Sequence, residues 1–142
     1  MKKYELTDET KVIDGHALHR IKALKDFTVR DRIIKEGDVG GWIESEENLS
    51  QEGSCWIFDE GKVYGNALVL GKASVSERAM IFEDAVIGGR AKIYGSATVG
   101  GYATVSENAK VFEASCVFGR ATVGGYAIVC GNSDIDGNTI IR

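Results

Sequence analysis

The sequence is poor in the groups from which common catalytic and binding sites are built. It has two histidines, His16 and His19, both near the start of the 142-residue chain. Its three cysteines, Cys55, Cys116 and Cys130, form an odd set with no C-x-x-C spacing. They fit free thiols in a reducing cytoplasm better than a disulfide framework or a metal cluster. No apolar run approaches the ~20 residues of a membrane-spanning helix, and no early stretch has the form of a signal peptide. Charge of one sign is also missing. Residues 1–54 carry nine Lys/Arg and twelve Asp/Glu, residues 55–142 carry eight and nine, and the net charge is −4. A nucleic-acid partner would call for a basic excess, so none is expected. The acidic balance is too mixed for a DNA mimic. These absences describe a soluble, cytoplasmic protein with no membrane partner, as a phage protein made inside a bacterium would also be.

What the chain does have is a period of six. From Cys55 onward every sixth residue is Val or Ile, from Ile57 through Val99 to Ile141, fifteen positions in all. Two places before each stands a small residue, such as Ala67, Ala97 or Ser115. A fixed short period means a solenoid, in which each repeat buries its apolar side only by stacking on its neighbours. Alternation around each aliphatic reads as a short strand. Two residues after it stands Gly or an acidic residue, often followed by Asn, as at Gly65-Asn66 and Glu107-Asn108. Gly and Asn accept the positive φ that a corner demands. Three sides per turn close a triangular coil of 18 residues, so fifteen hexads give about five coils. With strands ~4.8 Å apart the stack is roughly 20–25 Å tall.

Assigning the hexads to three faces puts large apolar side chains in rows on the outside. One face holds Trp56, Phe58, Tyr94 and Phe112; a second holds Tyr64, Met80, Phe82 and Phe118; a third holds Leu68, Leu70 and Val86. Exposed apolar surface marks interfaces, and interface hot spots are rich in aromatics. The eight residues Trp56, Phe58, Tyr64, Met80, Phe82, Tyr94, Phe112 and Phe118 are therefore protein-binding candidates. The expected partners are a second copy, in a homodimer or small oligomer, and one host protein. The N-terminal segment is expected to fold back over Leu68, Leu70 and Val86. The chain stops at Ile141-Arg142 inside the fifteenth hexad. Ile140 and Ile141 are then self-association candidates, because an open strand edge invites pairing.

Residues 1–54 break the period and read as an N-terminal β-hairpin cap ahead of a 55–142 solenoid domain. Tyr4-Glu5-Leu6 and Lys11-Val12-Ile13 are candidate strands, Asp14-Gly15 is a hairpin-turn signal, and His16–Leu24 is the returning strand. A further strand is expected at Trp42-Ile43-Glu44.

The hexad pattern resembles the hexapeptide-repeat, left-handed parallel β-helix family, which includes many acyltransferases. It departs from the usual motif in placing Gly two residues after the aliphatic and not directly after it. Gly40-Gly41-Trp42-Ile43-Glu44-Ser45-Glu46-Glu47-Asn48-Leu49-Ser50, followed by Cys55-Trp56-Ile57-Phe58-Asp59, is similar to a group of bacterial and phage hexapeptide-repeat proteins, over essentially the whole chain. The resemblance implies an all-β fold: a triangular solenoid with a small N-terminal β cap. Acyltransferases of this family place a catalytic His near a subunit boundary and use a loop projecting from the coils. Here no hexad carries an insertion, and His16 and His19 both precede the repeats. Related zinc enzymes use three His ligands, one more than this chain has. Cys55 falls on an inward small position and is expected to be inert; Cys116 and Cys130 point outward. On these grounds no catalytic residue, cofactor or metal is expected. The reading is a non-catalytic protein-binding β-helix, a phage-encoded inhibitor of a host defence protein such as a CRISPR component. The alternatives are an acyltransferase-like enzyme and a phage structural or assembly protein.

Overall fold

The structure is a computed structural model, and it describes residues 2–142. The expected solenoid is present. Fifteen two-residue strands, Trp56–Ile57 to Ile140–Ile141, each pair in parallel with the strand 18 residues away, as Met80–Ile81 does with Thr98–Val99. This register sorts them into three sheets. The first sheet runs through Val63, Ile81, Val99, Val117 and Ile135. The second runs through Val69, Ile87, Val105, Val123 and Ile141. The third runs through Ile57, Val75, Ile93, Val111 and Val129. The aliphatics from Ile57 to Val129 and the small residues two places before them fill one continuous core. Each buried Val or Ile removes enough apolar surface to contribute ~1.5–3 kcal/mol before ordering costs.

The stack has about six turns where the hexad count gives about five. The additional turn comes from the segment ahead of the repeats. β1 (Tyr4–Ile13) and β2 (His16–Ala23) form an antiparallel hairpin, and β3 (Phe27–Val29) and β4 (Arg32–Ile34) form a smaller one. β5 (Val39–Ile43) then pairs antiparallel with β2 on one edge and parallel with Lys62–Val63 on the other. Ile43 therefore starts the first sheet's inner column. Leu49 bridges to Val69 and starts the second, six residues on. Ile57 starts the third after eight residues, a spacing that hides this turn from a strict period. Gly41 occupies the small position of this first turn. A Cβ there would stand 2.4 Å from the Ile57 side chain and 2.5 Å from the Gly61 carbonyl oxygen, so only glycine fits.

A short 3₁₀ turn, Glu46–Asn48, joins Ile43 to Leu49. Buried Asn48 fixes it. Its Oδ1 accepts the Glu44 and Ser45 N–H groups, and its Nδ2 donates to the Gly65 and Ala67 carbonyls. Every donor and acceptor of this side chain is used, as burial requires.

The two N-terminal strand candidates around Leu6 and Val12 are one strand, with a register shift between Leu6 and Thr10. The Asp14-Gly15 turn forms as read, both residues having positive φ. The cap does not fold over the second sheet, where Leu68 and Leu70 stay exposed. It packs on the other two. Phe27 of β3 meets Trp56 edge-on at 5.3 Å, and the Arg32 guanidinium lies 3.9 Å from the Phe58 ring centroid. Leu18 and Trp42 cover Tyr64 in a small separate cluster.

The corners explain the acidic residues that alternate with glycine. The residue two after each aliphatic has positive φ throughout, including Asp59, Glu77, Glu83, Glu107 and Glu113. An L-residue in this left-handed region carries strain of about 1–2 kcal/mol. Four of the five offset it with a bond that glycine cannot make. Glu83, Glu107 and Glu113 accept the backbone N–H of the corner residue one turn on, at 2.8–3.0 Å, and Asp59 does the same at 3.2 Å. The acidic rim is thus a set of backbone caps.

Candidate functional site

The groups that can do chemistry gather where the cap meets the first two turns. His16 opens β2, Glu44 follows β5, and Tyr64 follows the Lys62–Val63 strand. The β2–β5 pairing, with His19 opposite Ile43, brings residues 28 apart in sequence into contact. His16 Nδ1 lies 2.9 Å from Glu44 Oε2, and its ring stands 4.9 Å from the Tyr64 ring. Glu44 also accepts the Gly65 N–H at 2.9 Å. The His16 hydrogen bond, with Gly65 adding to it, holds the Glu44 carboxyl below the usual carboxylate range. With Nδ1–H donated to a carboxylate, Nε2 is left as the basic nitrogen. Burial pushes the Tyr64 phenol up to about 12, and the Asp14 carboxylate, which accepts its O–H at 3.3 Å, adds to the rise.

His16 and Glu44 are only partly buried. A histidine oriented by a carboxylate is the arrangement that general-base catalysis needs. Spacing in the sequence carried no sign of it. The signal available was the Asp14-Gly15 turn, which delivers His16 to the strand beside Glu44. His19 takes a different partner, its Nδ1 lying 3.1 Å from the Thr7 carbonyl oxygen.

Of the eight aromatic and methionine candidates, three are covered by the cap and five stand half-buried along the outer faces. Trp56, Phe58 and Tyr64 are buried beneath the cap. Met80 and Phe82 pack against the Leu18–Trp42–Tyr64 cluster, with Phe82 stacked on Tyr64 at 5.5 Å and edge-on to Phe118 at 5.9 Å. Tyr94 and Phe112 stack on each other at 4.7 Å and are half-buried. Ile140 is 67% exposed, whereas Ile141 is half-buried. Cys55 is fully buried and burial pushes its thiol up, which suits an inert role. The Lys3 ammonium is buried beside it and donates to the Cys55 carbonyl at 2.7 Å. Cys116 and Cys130 are half-buried. Among the described residues no three of His, Cys, Asp and Glu stand close enough to hold a metal, and no helix is long and apolar enough to cross a membrane.

No protein-family model matches the chain. It is similar to the uncharacterised acetyltransferase YdcK of Escherichia coli (strain K12), with 32% identity over 91 residues that take in 58% of this chain. The aligned part spans 27% of the YdcK chain. This similarity overturns the reading of the solenoid as a non-catalytic binder of a host defence protein, and with it the expectation that the chain is no enzyme. What the residues established stands more coarsely: this chain is a parallel β-solenoid of hexapeptide repeats, distantly homologous to a protein named as an acetyltransferase.

Proposed function

We propose that the chain is an acyltransferase-like hexapeptide-repeat enzyme that moves an acetyl group from a thioester donor to a hydroxyl or amine. The similarity to YdcK carries this reading, and the His16–Glu44 pair supplies chemistry that suits it. His16 Nε2 takes the proton of the acceptor O–H or N–H as that atom attacks the thioester carbonyl. The C–S bond then breaks, and the protonated imidazole returns the proton to the departing thiolate. Glu44 holds the ring through Nδ1 and balances the imidazolium charge. General-base assistance of this type is worth ~10²–10⁴-fold in rate.

The test is release of free thiol from acetyl-CoA in the presence of a panel of sugars, amino sugars and polyamines. The wild-type protein is expected to accelerate release with at least one acceptor, and His16→Gln to lose about 100-fold or more with its fold intact. No acceleration with any acceptor, or full activity in His16→Gln, would overturn the reading or the role given to His16, respectively.

A further inference from the structure

A concentration of unpaired positive charge lies away from His16, at the corner between the second and third sheets, which the first sheet does not share. A cavity of about 420 Å³ opens there between the β3–β4 hairpin and the solenoid, lined by Thr28, Arg30, Ser54, Lys72 and Arg90. Ser54, Lys72 and Arg90 are separated by 18 residues each, so they occupy the same corner position on three successive turns. Arg30 reaches the site from the tip of the hairpin and donates to the Arg90 carbonyl oxygen.

Three features set this place apart. The first is charge: three cations and two hydroxyls line it, and no carboxylate does, in a chain of net charge −4. Arg30 also borders an adjoining cleft, which Asp31, Arg32 and Lys92 line with it. None of Arg30, Lys72 and Arg90 forms an ion pair among the described residues, although Lys2, Lys11, Arg20 and Lys35 all do. The second is spacing. Lys72 and Arg90 stand on adjacent turns, and like charges on neighbouring strands repel. The next carboxylate along this corner, Glu107, is taken up by the Gly125 N–H. The third is backbone. Arg30 holds positive φ at the hairpin tip, a position where Asn or Gly is at ease and a bulky side chain is strained.

We propose that this corner is a binding site for a diphosphate group, carried by a nucleotide or free. Arginine forks and a lysine point charge are the side chains suited to phosphate oxygens, and Thr28 and Ser54 add hydroxyl donors. A cavity of this volume is in the range that holds a small organic ligand, so it has room for more than one phosphate. Acetyl-CoA carries a nucleotide diphosphate that these cations would also suit, but binding here needs no acyl group, so the site stands or falls apart from the acyl-transfer reading.

Calorimetric titration with ADP, inorganic pyrophosphate, orthophosphate and adenosine tests it, using the wild-type chain and a Lys72→Gln/Arg90→Gln variant. ADP or pyrophosphate is expected to bind saturably, and the variant to weaken that binding at least 10-fold while melting within a few degrees of wild type. ADP binding more tightly than pyrophosphate would assign a nucleotide; equal binding would assign the diphosphate alone. Binding of neither diphosphate, binding unchanged in the variant, or adenosine binding as well as ADP would overturn the proposal. Arg30→Gln gives a second check from the hairpin side, expected to weaken binding with Lys72 and Arg90 left in place. These outcomes are separate from thiol release, which neither ADP nor pyrophosphate reports.

Discussion

The first and the last turns of this solenoid are made from the same hexad and behave as different molecules. At the first turns the outward residues Trp56, Phe58 and Tyr64 are buried, because the cap lays its strands and hairpin across them. At the last turns their counterparts are open: Ile128, on the same face as Trp56, is 62% exposed. The inward side is the same at both ends, a small residue and then an aliphatic. The period therefore dictates what faces in, while what happens outside is set by the aperiodic segment. Both sites argued above lie where that segment meets the stack.

The largest break expected in this comparison is at the shared core. Val99 is fully buried at the middle of the first sheet. Val99→Asp puts an unpaired carboxylate in an apolar column and is expected to cost more than about 4 kcal/mol. Circular dichroism should show an unfolded or severely loosened chain at 25 °C; a melting temperature within a degree or two of wild type would contradict the solenoid core. Next is the pair Trp56→Ala and Ile128→Ala, equivalent positions at opposite ends. The first removes a fully buried indole and is expected to cost ~3–5 kcal/mol. The second removes an exposed side chain and is expected to stay within about 0.5 kcal/mol. Equal losses in urea denaturation would mean that the ends do not differ as described.

A smaller effect belongs to the corners. Glu107→Ala keeps the left-handed backbone and loses the bond to Gly125, so about 1 kcal/mol of stability should go, given the exposure of the carboxylate. Glu107→Gly also loses the bond but relieves the strain, and it should cost less than the alanine variant. The smallest effect is in pH. The folded Glu44 carboxyl lies below its ordinary value of 4.5. Its contribution is then present above 4.5 and lost as pH falls through the folded value. Glu44→Gln should lower stability at pH 7 and narrow its gap to wild type as the pH drops towards 3. A gap that stays constant with pH would mean that the carboxylate is not bonded as described.

Legibility in the sequence followed the same division. The hexads revealed the solenoid, the 18-residue turn and the inward columns, because a period tests each assignment many times over. Gly41, Ile43 and Leu49 belong to that pattern but escaped it, since eight residues separate Leu49 from Ile57 and the 3₁₀ turn with buried Asn48 takes up the difference. Trp56, Phe58 and Tyr64 were placed on the right faces and misjudged as free, because the period says nothing of what the cap covers. His16 and Glu44 could not be joined by spacing alone. Their contact depends on which strand β2 pairs with, a long-range choice that no local pattern records. Arg30 with Lys72 and Arg90 was missed for the same reason, although the 18-residue interval from Lys72 to Arg90 was there to be seen.

The most direct measurement is a backbone NMR titration with S-acetylpantetheine, a thioester donor that carries no phosphate. The account predicts saturable shifts confined to His16, Glu44, Tyr64 and Gly65, at the junction of cap and first turns. Shifts centred on the open face of the last turns around Ile128, or none at all at high concentration, would contradict it.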